Sequence, residues 1–332
     1  MPRLRRVSPN SPGWTRRRAG RGFAYVDAAG ATLSADQIEW IRSLVIPPAW
    51  RDVWICPLPN GHLQATGLDA AGRRQYLYHP AWREQRDRLK FDRVTAAAAR
   101  LPEVRARVLD DLGASGMPLN RAAATAVRLL DLGYFRIGND YYADANGSFG
   151  LTTLERRHVR RTPEGLAFRF VGKSGIEHRV LIDDVSVVAA VEAMRRRHGG
   201  DRLLAFRNGS GWADLSSAAV NAYLAELFGG DFTAKDFRTW HATVLAADAL
   251  AHSPEPGVTA ASRKRAVRAS VVAVSDYLGN TPAIAKASYI DPRVIDLYES
   301  GATIATAAGA DYSSADKRQA ALERAVLDLL SP

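Results

Sequence analysis

Four side chains spread between residues 136 and 289 are of the types that phosphodiester exchange requires. Breaking a phosphodiester without a metal or nucleotide calls for a nucleophile, an acid for the departing oxygen, and cations or hydrogen-bond donors around the phosphoryl oxygens. Arg136 stands in Tyr134-Phe135-Arg136-Ile137-Gly138, just after a helix end. Lys173 stands at the tip of an expected hairpin, between glycines that let backbone approach a ligand closely. Arg238 lies in Lys235-Asp236-Phe237-Arg238-Thr239-Trp240 near a helix start, where the dipole favours an anion. Tyr289 follows Gly279-Asn280-Thr281-Pro282-Ala283-Ile284-Ala285-Lys286-Ala287-Ser288. Taken singly, each has an ordinary explanation: a surface cation, a solvated turn lysine, a packing tyrosine. Their order and the strings around them carry the weight.

The use of lysine sharpens the choice. The chain has 39 arginines and six lysines: Lys90, Lys173, Lys235, Lys264, Lys286 and Lys317. An ammonium gives up a proton when its environment lowers its pKa, and a guanidinium does not. Lysine retained in an arginine-biased chain therefore invites inspection. Other cofactor chemistry lacks its signals: there is no Walker A loop, no Gly-x-Gly-x-x-Gly after a strand, no His-Glu-x-x-His and no Cys-x-x-Cys. The expectation is no cofactor and no metal. The one cysteine, Cys56, excludes an internal disulfide. No apolar run reaches the roughly 18 residues of a membrane span, and no apolar leader opens the chain, so a cytoplasmic, nucleoid-associated protein is expected.

Charge is distributed unevenly. Of the formal net charge of +10, seven arginines (Arg3, Arg5, Arg6, Arg16, Arg17, Arg18, Arg21) fall in residues 1–21 with no acid, leaving 38 basic against 35 acidic residues beyond. This reads as a basic, flexible arm over residues 1–20 that finds polyanions, against a plain solubilising tail or a transit peptide.

The elements that must hold these residues fall into two groups. Residues 21–90 carry strand patterns at 23–26, 53–57, 62–66 and 75–78, with a helix over 34–45 opened by a Ser34/Gln37 capping box. Residues 91–332 are mainly helical. Helices are expected over 81–100, 101–112, 119–132, 184–198, 215–228, 234–252, 258–279, 291–299 and 314–330. Between them lies a β-rich island with strands at 141–143, 149–154, 166–171 and 178–182. The fold class is α+β: a small β-containing N-terminal domain before a larger, mainly helical one.

The strings Phe135-Arg136-Ile137-Gly138, Val171-Gly172-Lys173, Lys235-Asp236-Phe237-Arg238-Thr239 and Gly279 to Tyr289, in this order, resemble the catalytic motifs of type IB DNA topoisomerases. The compact poxvirus-like and bacterial branch is the nearest match. Gly150-Leu151-Thr152-Thr153-Leu154 and Gly72-Arg73-Arg74-Gln75-Tyr76-Leu77-Tyr78 resemble the same family, so the likeness runs from about residue 72 to 298. The resemblance implies the catalytic fold shared by these enzymes and tyrosine recombinases, and relaxation of supercoiled duplex DNA without ATP. By it, Tyr289 is the nucleophile that forms a 3′-phosphotyrosyl bond. Arg136 and Arg238 contact nonbridging oxygens, Lys173 protonates the 5′ oxygen, and Lys235 is a secondary phosphate contact. Asn280 stands where many relatives have His; its amide donates a hydrogen bond but is no acid. His241 is a possible further donor or a structural residue. Gln75, Tyr76 and Tyr78 match positions on the DNA face, with Tyr142 a weaker match. A monomer clamping duplex DNA is implied. Two rivals remain at this point: a tyrosine recombinase, disfavoured by Lys235 where recombinases usually have His, and a DNA-binding relative that has lost catalysis, favoured by Asn280 alone.

Overall fold

The computed structural model describes residues 3–133, 135–138, 147–209, 211–230, 232–253 and 259–331. The chain divides into two compact units, residues 1–90 and 91–332.

The first unit is built on alternating strands that close around one aromatic-rich core. β1 (Trp14–Ala19), β2 (Gly22–Val26), β3 (Arg51–Ile55), β4 (Leu63–Leu68) and β5 (Arg74–Tyr78) form an antiparallel sheet in the order β2-β1-β3-β4-β5. Helix α1 (Ala35–Ser43) packs on it through Ile41, with Trp14, Tyr25, Val53 and Ile55 in the same core. Its start is set as the sequence predicts. Ser34 Oγ accepts from Gln37 N and Gln37 Oε1 accepts from Ser34 N, which satisfies two helix-end donors at once.

The expected flexible arm over residues 1–20 is corrected. From Trp14 the arm is strand β1, paired along its length with β2 through a two-residue turn at Gly20–Arg21. Trp14 is buried, and Arg16 is spent on structure: it donates to the carbonyls of Ile46, Pro47 and Trp50 and lies over the Phe23 ring. Further upstream, Arg5 pairs through its backbone with Asn60 and His62. A run of arginines reads as solvated arm when only charge is counted, but long arginine stems pack as strand residues once an aromatic anchor and a hairpin turn are present.

The second unit places two helices at its centre. Helices α2 (Pro80–Ala98), α3 (Leu101–Leu112) and α4 (Leu119–Gly133) precede a three-stranded sheet, β6 (Val159–Thr162), β7 (Gly165–Val171) and β8 (Glu177–Ile182), in sequential order. Then come α5 (Val185–Arg195), the hairpin β9 (Ala205–Asn208) and β10 (Gly211–Asp214), α6 (Ser217–Phe228) and α7 (Ala234–Ala251). The chain goes on as α8 (Ala260–Leu278), α9 (Pro282–Ser288), α10 (Pro292–Glu299), α11 (Ala305–Ala308) and α12 (Ala315–Leu330). α4 and α7 are buried nearly all round, the mark of helices enclosed by others. The expected strand at 149–154 is corrected to a 3-10 turn, Leu151–Thr153, whose backbone bonds the segment at residues 136–137. The strand expected at 141–143 lies outside the described residues.

A buried ion network ties α3, α4, α7 and α12 together. Asp131 receives two bonds from Arg105, one from Arg128, and lies 3.3 Å from His241 Nε2, while Arg105 also binds Glu323 and Arg128 binds Asp184. Burial opposes charge on Asp131, but His241 and Arg105 outweigh it and hold the carboxyl well below the usual range. A depressed carboxyl contributes stability above its unfolded-state value near 4 and loses it as pH falls toward the folded value. Asp131→Asn should therefore cost about 3–5 kcal/mol at neutral pH, because it strands buried arginines. It should also lessen the stability lost below pH ~4; denaturant unfolding at pH 7 and pH 3 tests both.

Candidate active site

The site is assembled on the end of helix α8. That helix closes with Gly279 in the left-handed region (φ 59°), Gly279 N bonding Asp276 O and Asn280 N bonding Ser275 O at 2.9 Å. This is a Schellman closure, which requires glycine for its backbone angle and leaves the last carbonyls facing outward. Two guanidiniums take them. Arg238 Nη2 donates to Leu278 O at 2.8 Å and Arg136 Nη2 to Gly279 O at 3.0 Å. The negative end of a helix dipole thus moors two like-charged, mostly buried groups side by side.

Arg136 is held at its backbone as well. Its carbonyl accepts from Leu151 N, and Ile137 O accepts from Thr152 N and Oγ1. Gly138 and Gly150 approach so closely that a Cβ on Gly150 would fall 2.4 Å from Gly138 Cα. Two strings far apart in the sequence are therefore one structural piece.

Arg136 also donates from Nη2 to Asn280 Oδ1. That bond fixes the amide orientation, so Asn280 Nδ2 is the free donor. Nδ2 is buried without a hydrogen-bond partner among the described residues, and so is Arg136 Nη1. Such orphan donors are rare in proteins, and a bound anion would satisfy both. Burial, then the nearby charge of Arg136, pulls the Arg238 guanidinium down to about 10, still a cation at neutral pH. Burial lowers Arg136 likewise.

Tyr289 reaches this cluster by a short route. Thr281 caps α9 through its side chain, Pro282 starts it, and after seven residues Tyr289 is its C-cap. Tyr289 N bonds Ala285 O, and Tyr289 O accepts from Thr243 Oγ1 on α7. The half-buried ring lies 5.5 Å from Arg238 Cζ, with the guanidinium over its face.

The structure brings Arg136, Arg238, Asn280 and Tyr289 together and leaves others apart. Lys173 is exposed in the 3-10 turn Lys173–Gly175 at the β7–β8 tip, with no hydrogen bond or ion pair among the described residues. Lys235 is exposed in the first turn of α7, one helical turn before Arg238. His241 faces away, buried against Asp131 and stacked on Phe237. In the first unit, Tyr76 and Tyr78 are exposed on β5, at the sheet edge, with rings stacked 6.1 Å apart; they do not pack the core. Gln75, next to them in β5, bonds Asp69 Oδ2. Tyr142 lies outside the described residues.

One group escaped sequence reasoning. His178 lines a cleft of about 440 Å³ together with Arg136, Arg238, Phe170, Gly172 and Gly279. Burial, then the charges of Arg136 and Arg238, pushes its pKa down from the ordinary histidine value. Only the hairpin register, which pairs His178 with Phe170, would have pointed to it.

Two family models and several relatives match the chain. The eukaryotic DNA topoisomerase I catalytic core model matches residues 79–305, and the bacterial DNA topoisomerase IB N-terminal domain model matches residues 22–69. DNA topoisomerase 1B of Acanthamoeba polyphaga mimivirus is 27% identical over 280 residues, covering 80% of this chain and 81% of that protein. DNA topoisomerase 1B of vaccinia virus (strain Western Reserve) is 26% identical over 117 residues, 35% of this chain and 37% of its own length. DNA topoisomerase 1 of Schizosaccharomyces pombe is 27% identical over 173 residues, 52% of this chain and 20% of its own length. Since the catalytic-core match alone takes in well over half of the residues, the chain belongs to the type IB DNA topoisomerase family.

Proposed function

We propose that this chain relaxes supercoiled duplex DNA by cutting one strand through Tyr289 and resealing it, without ATP or a required metal. The observation that carries the reading is the pair of orphan donors, Arg136 Nη1 and Asn280 Nδ2, buried beside the guanidinium that touches Tyr289. A phosphodiester in that position receives Arg136, Arg238 and the Asn280 amide on its nonbridging oxygens. Tyr289 Oη attacks phosphorus as its phenolic proton passes to solvent water, and the P–O5′ bond breaks. Lys173 gives a proton to the departing 5′ oxygen, from a hairpin tip that meets substrate rather than protein. One phosphodiester replaces another, so resealing needs no nucleotide.

In this reading residues 91–332 form the catalytic domain, and residues 21–90 form a clamp that offers Tyr76 and Tyr78 to DNA, with Gln75 a neighbouring contact. A monomer suffices, acting in the cytoplasm on the nucleoid. Lys235 contributes a phosphate contact and His241 supports the fold through Asp131.

The test is incubation with negatively supercoiled plasmid in EDTA without ATP. Stepwise relaxation, with detergent-trapped protein on a DNA 3′ end, is the expected result. No relaxation, or protein on a 5′ end, would sink the proposal. Asn280→Ala should slow single-turnover cleavage by on the order of 10²-fold, as loss of one oxyanion donor does. Asn280→Asp should be slower still, because a carboxylate there repels the phosphate and pairs with Arg136. Cleavage by Asn280→Ala at the wild-type rate would remove Asn280 from the mechanism.

A further inference from the structure

His178 touches the two turns that carry Lys173 and Asn280. Its ring stacks on Phe170, its register partner on β7, with centroids 5.2 Å apart and planes 21° from parallel. On one flank, a Cβ built on Gly172 would lie 2.6 Å from His178 Cδ2 and 2.7 Å from Nε2. On another, a Cβ built on Gly279 would lie 2.8 Å from His178 Cε1. The imidazole therefore rests directly against the residue before Lys173 and the residue before Asn280, leaving no room for a methyl at either. Ile176, two residues earlier, adds its Cγ2 at 3.7 Å from the same Gly279 position. The tip itself is closed by Gly172 N to Ile176 O at 2.8 Å and Gly175 N to Gly172 O at 3.2 Å, so a shift of Gly172 carries Lys173 with it.

We infer that His178 is a positioning residue, a ring-shaped spacer that sets how far the Lys173 turn stands from the Gly279–Asn280 turn. This rests on the assignment of Lys173 as the acid. The ring does its work by volume and stacking: beside two guanidiniums it stays uncharged at neutral pH, where a cation would add repulsion.

Single-turnover cleavage of a duplex carrying either an ordinary phosphodiester or a 5′-bridging phosphorothiolate tests it, since the thiolate departs without a proton. Misplacing a catalytic group by about 1 Å costs on the order of 10²-fold. His178→Ala should thus slow the ordinary substrate by tens of fold or more and come back to within about threefold of wild type on the thiolate. His178→Phe, which keeps the ring, should stay near wild type on both. Gly172→Ala should reproduce the thiolate-relieved defect, because its methyl and the His178 ring cannot share the space. Together with His178→Phe it keeps the test decisive should His178→Ala alone melt early. The inference is overturned if His178→Phe is as slow as His178→Ala, if the His178→Ala defect persists on the thiolate, or if His178→Ala is fully active. Lys173→Ala on the thiolate is the control: no rescue there brings down the acid assignment itself, whereas rescue there without rescue of His178→Ala brings down only the spacer.

Discussion

Tyr289→Phe will leave a folded protein that forms no covalent adduct with DNA and relaxes none. The loss should be on the order of 10⁵-fold or more, since removing a nucleophile leaves only what binding and charge stabilisation supply. The substitution is unusually clean. The ring stays against Arg238 at its 5.5 Å contact, and the backbone bonds to Ala285 and from Thr243 do not involve the side chain. Only the hydroxyl oxygen is lost, so the melting temperature should move little. Adduct formation on a denaturing gel and a melt by circular dichroism check both. A residual adduct in the Phe variant would mean that a different residue attacks.

Arg238→Ala should give the second largest loss, about 10³- to 10⁵-fold in single-turnover cleavage, the range seen when an arginine is removed from a phosphoryl-transfer site. DNA affinity should change only a few-fold, because this contact is one among many to the backbone. The physical ground is differential binding: Arg238 is already desolvated and moored on Leu278 O, so it meets the charge that builds on the phosphoryl oxygens without reorganising. Arg238→Lys should recover little of the rate, since an ammonium cannot hold the Leu278 carbonyl and a phosphoryl oxygen in one planar fork while lying over the Tyr289 ring. Titration of binding beside cleavage separates the outcomes. If affinity and rate fell together by the same large factor, Arg238 would be a ground-state anchor and its place in the chemistry would be lost.

Local chemistry made much of the architecture readable in advance. The Ser34/Gln37 capping box sits where the side-chain pattern puts it, and Leu101–Leu112 begins and ends as its apolar spacing requires. The β7–β8 hairpin follows from two apolar runs around Gly172 and Gly175. What escaped was structure sustained by distant partners. β1 is held by β2 and β3 and by the spending of Arg16 on the carbonyls of Ile46, Pro47 and Trp50. Leu151–Thr153 turns because its amides find the carbonyls of Arg136 and Ile137, a pairing invisible to strand propensity. β6, β9 and β10 are four-residue strands, too short for periodicity to register.

For the site, residue types and their order along the chain marked Arg136, Lys173, Arg238 and Tyr289 as candidates, and the resemblance to type IB topoisomerases added Asn280. Which of them stand together was decided by folding. Arg136 and Arg238 come from separate elements and meet only because helix α8 ends in a Schellman turn that offers each a carbonyl. The orientation of the Asn280 amide follows from Arg136, more than a hundred residues away, and so does the donor it leaves free. The sequence determined which groups are available for phosphoryl chemistry, because side-chain type is a covalent fact. The tertiary structure alone decided which of them are desolvated, moored and left with an unmet hydrogen bond, because those properties depend on neighbours that the linear order does not bring near.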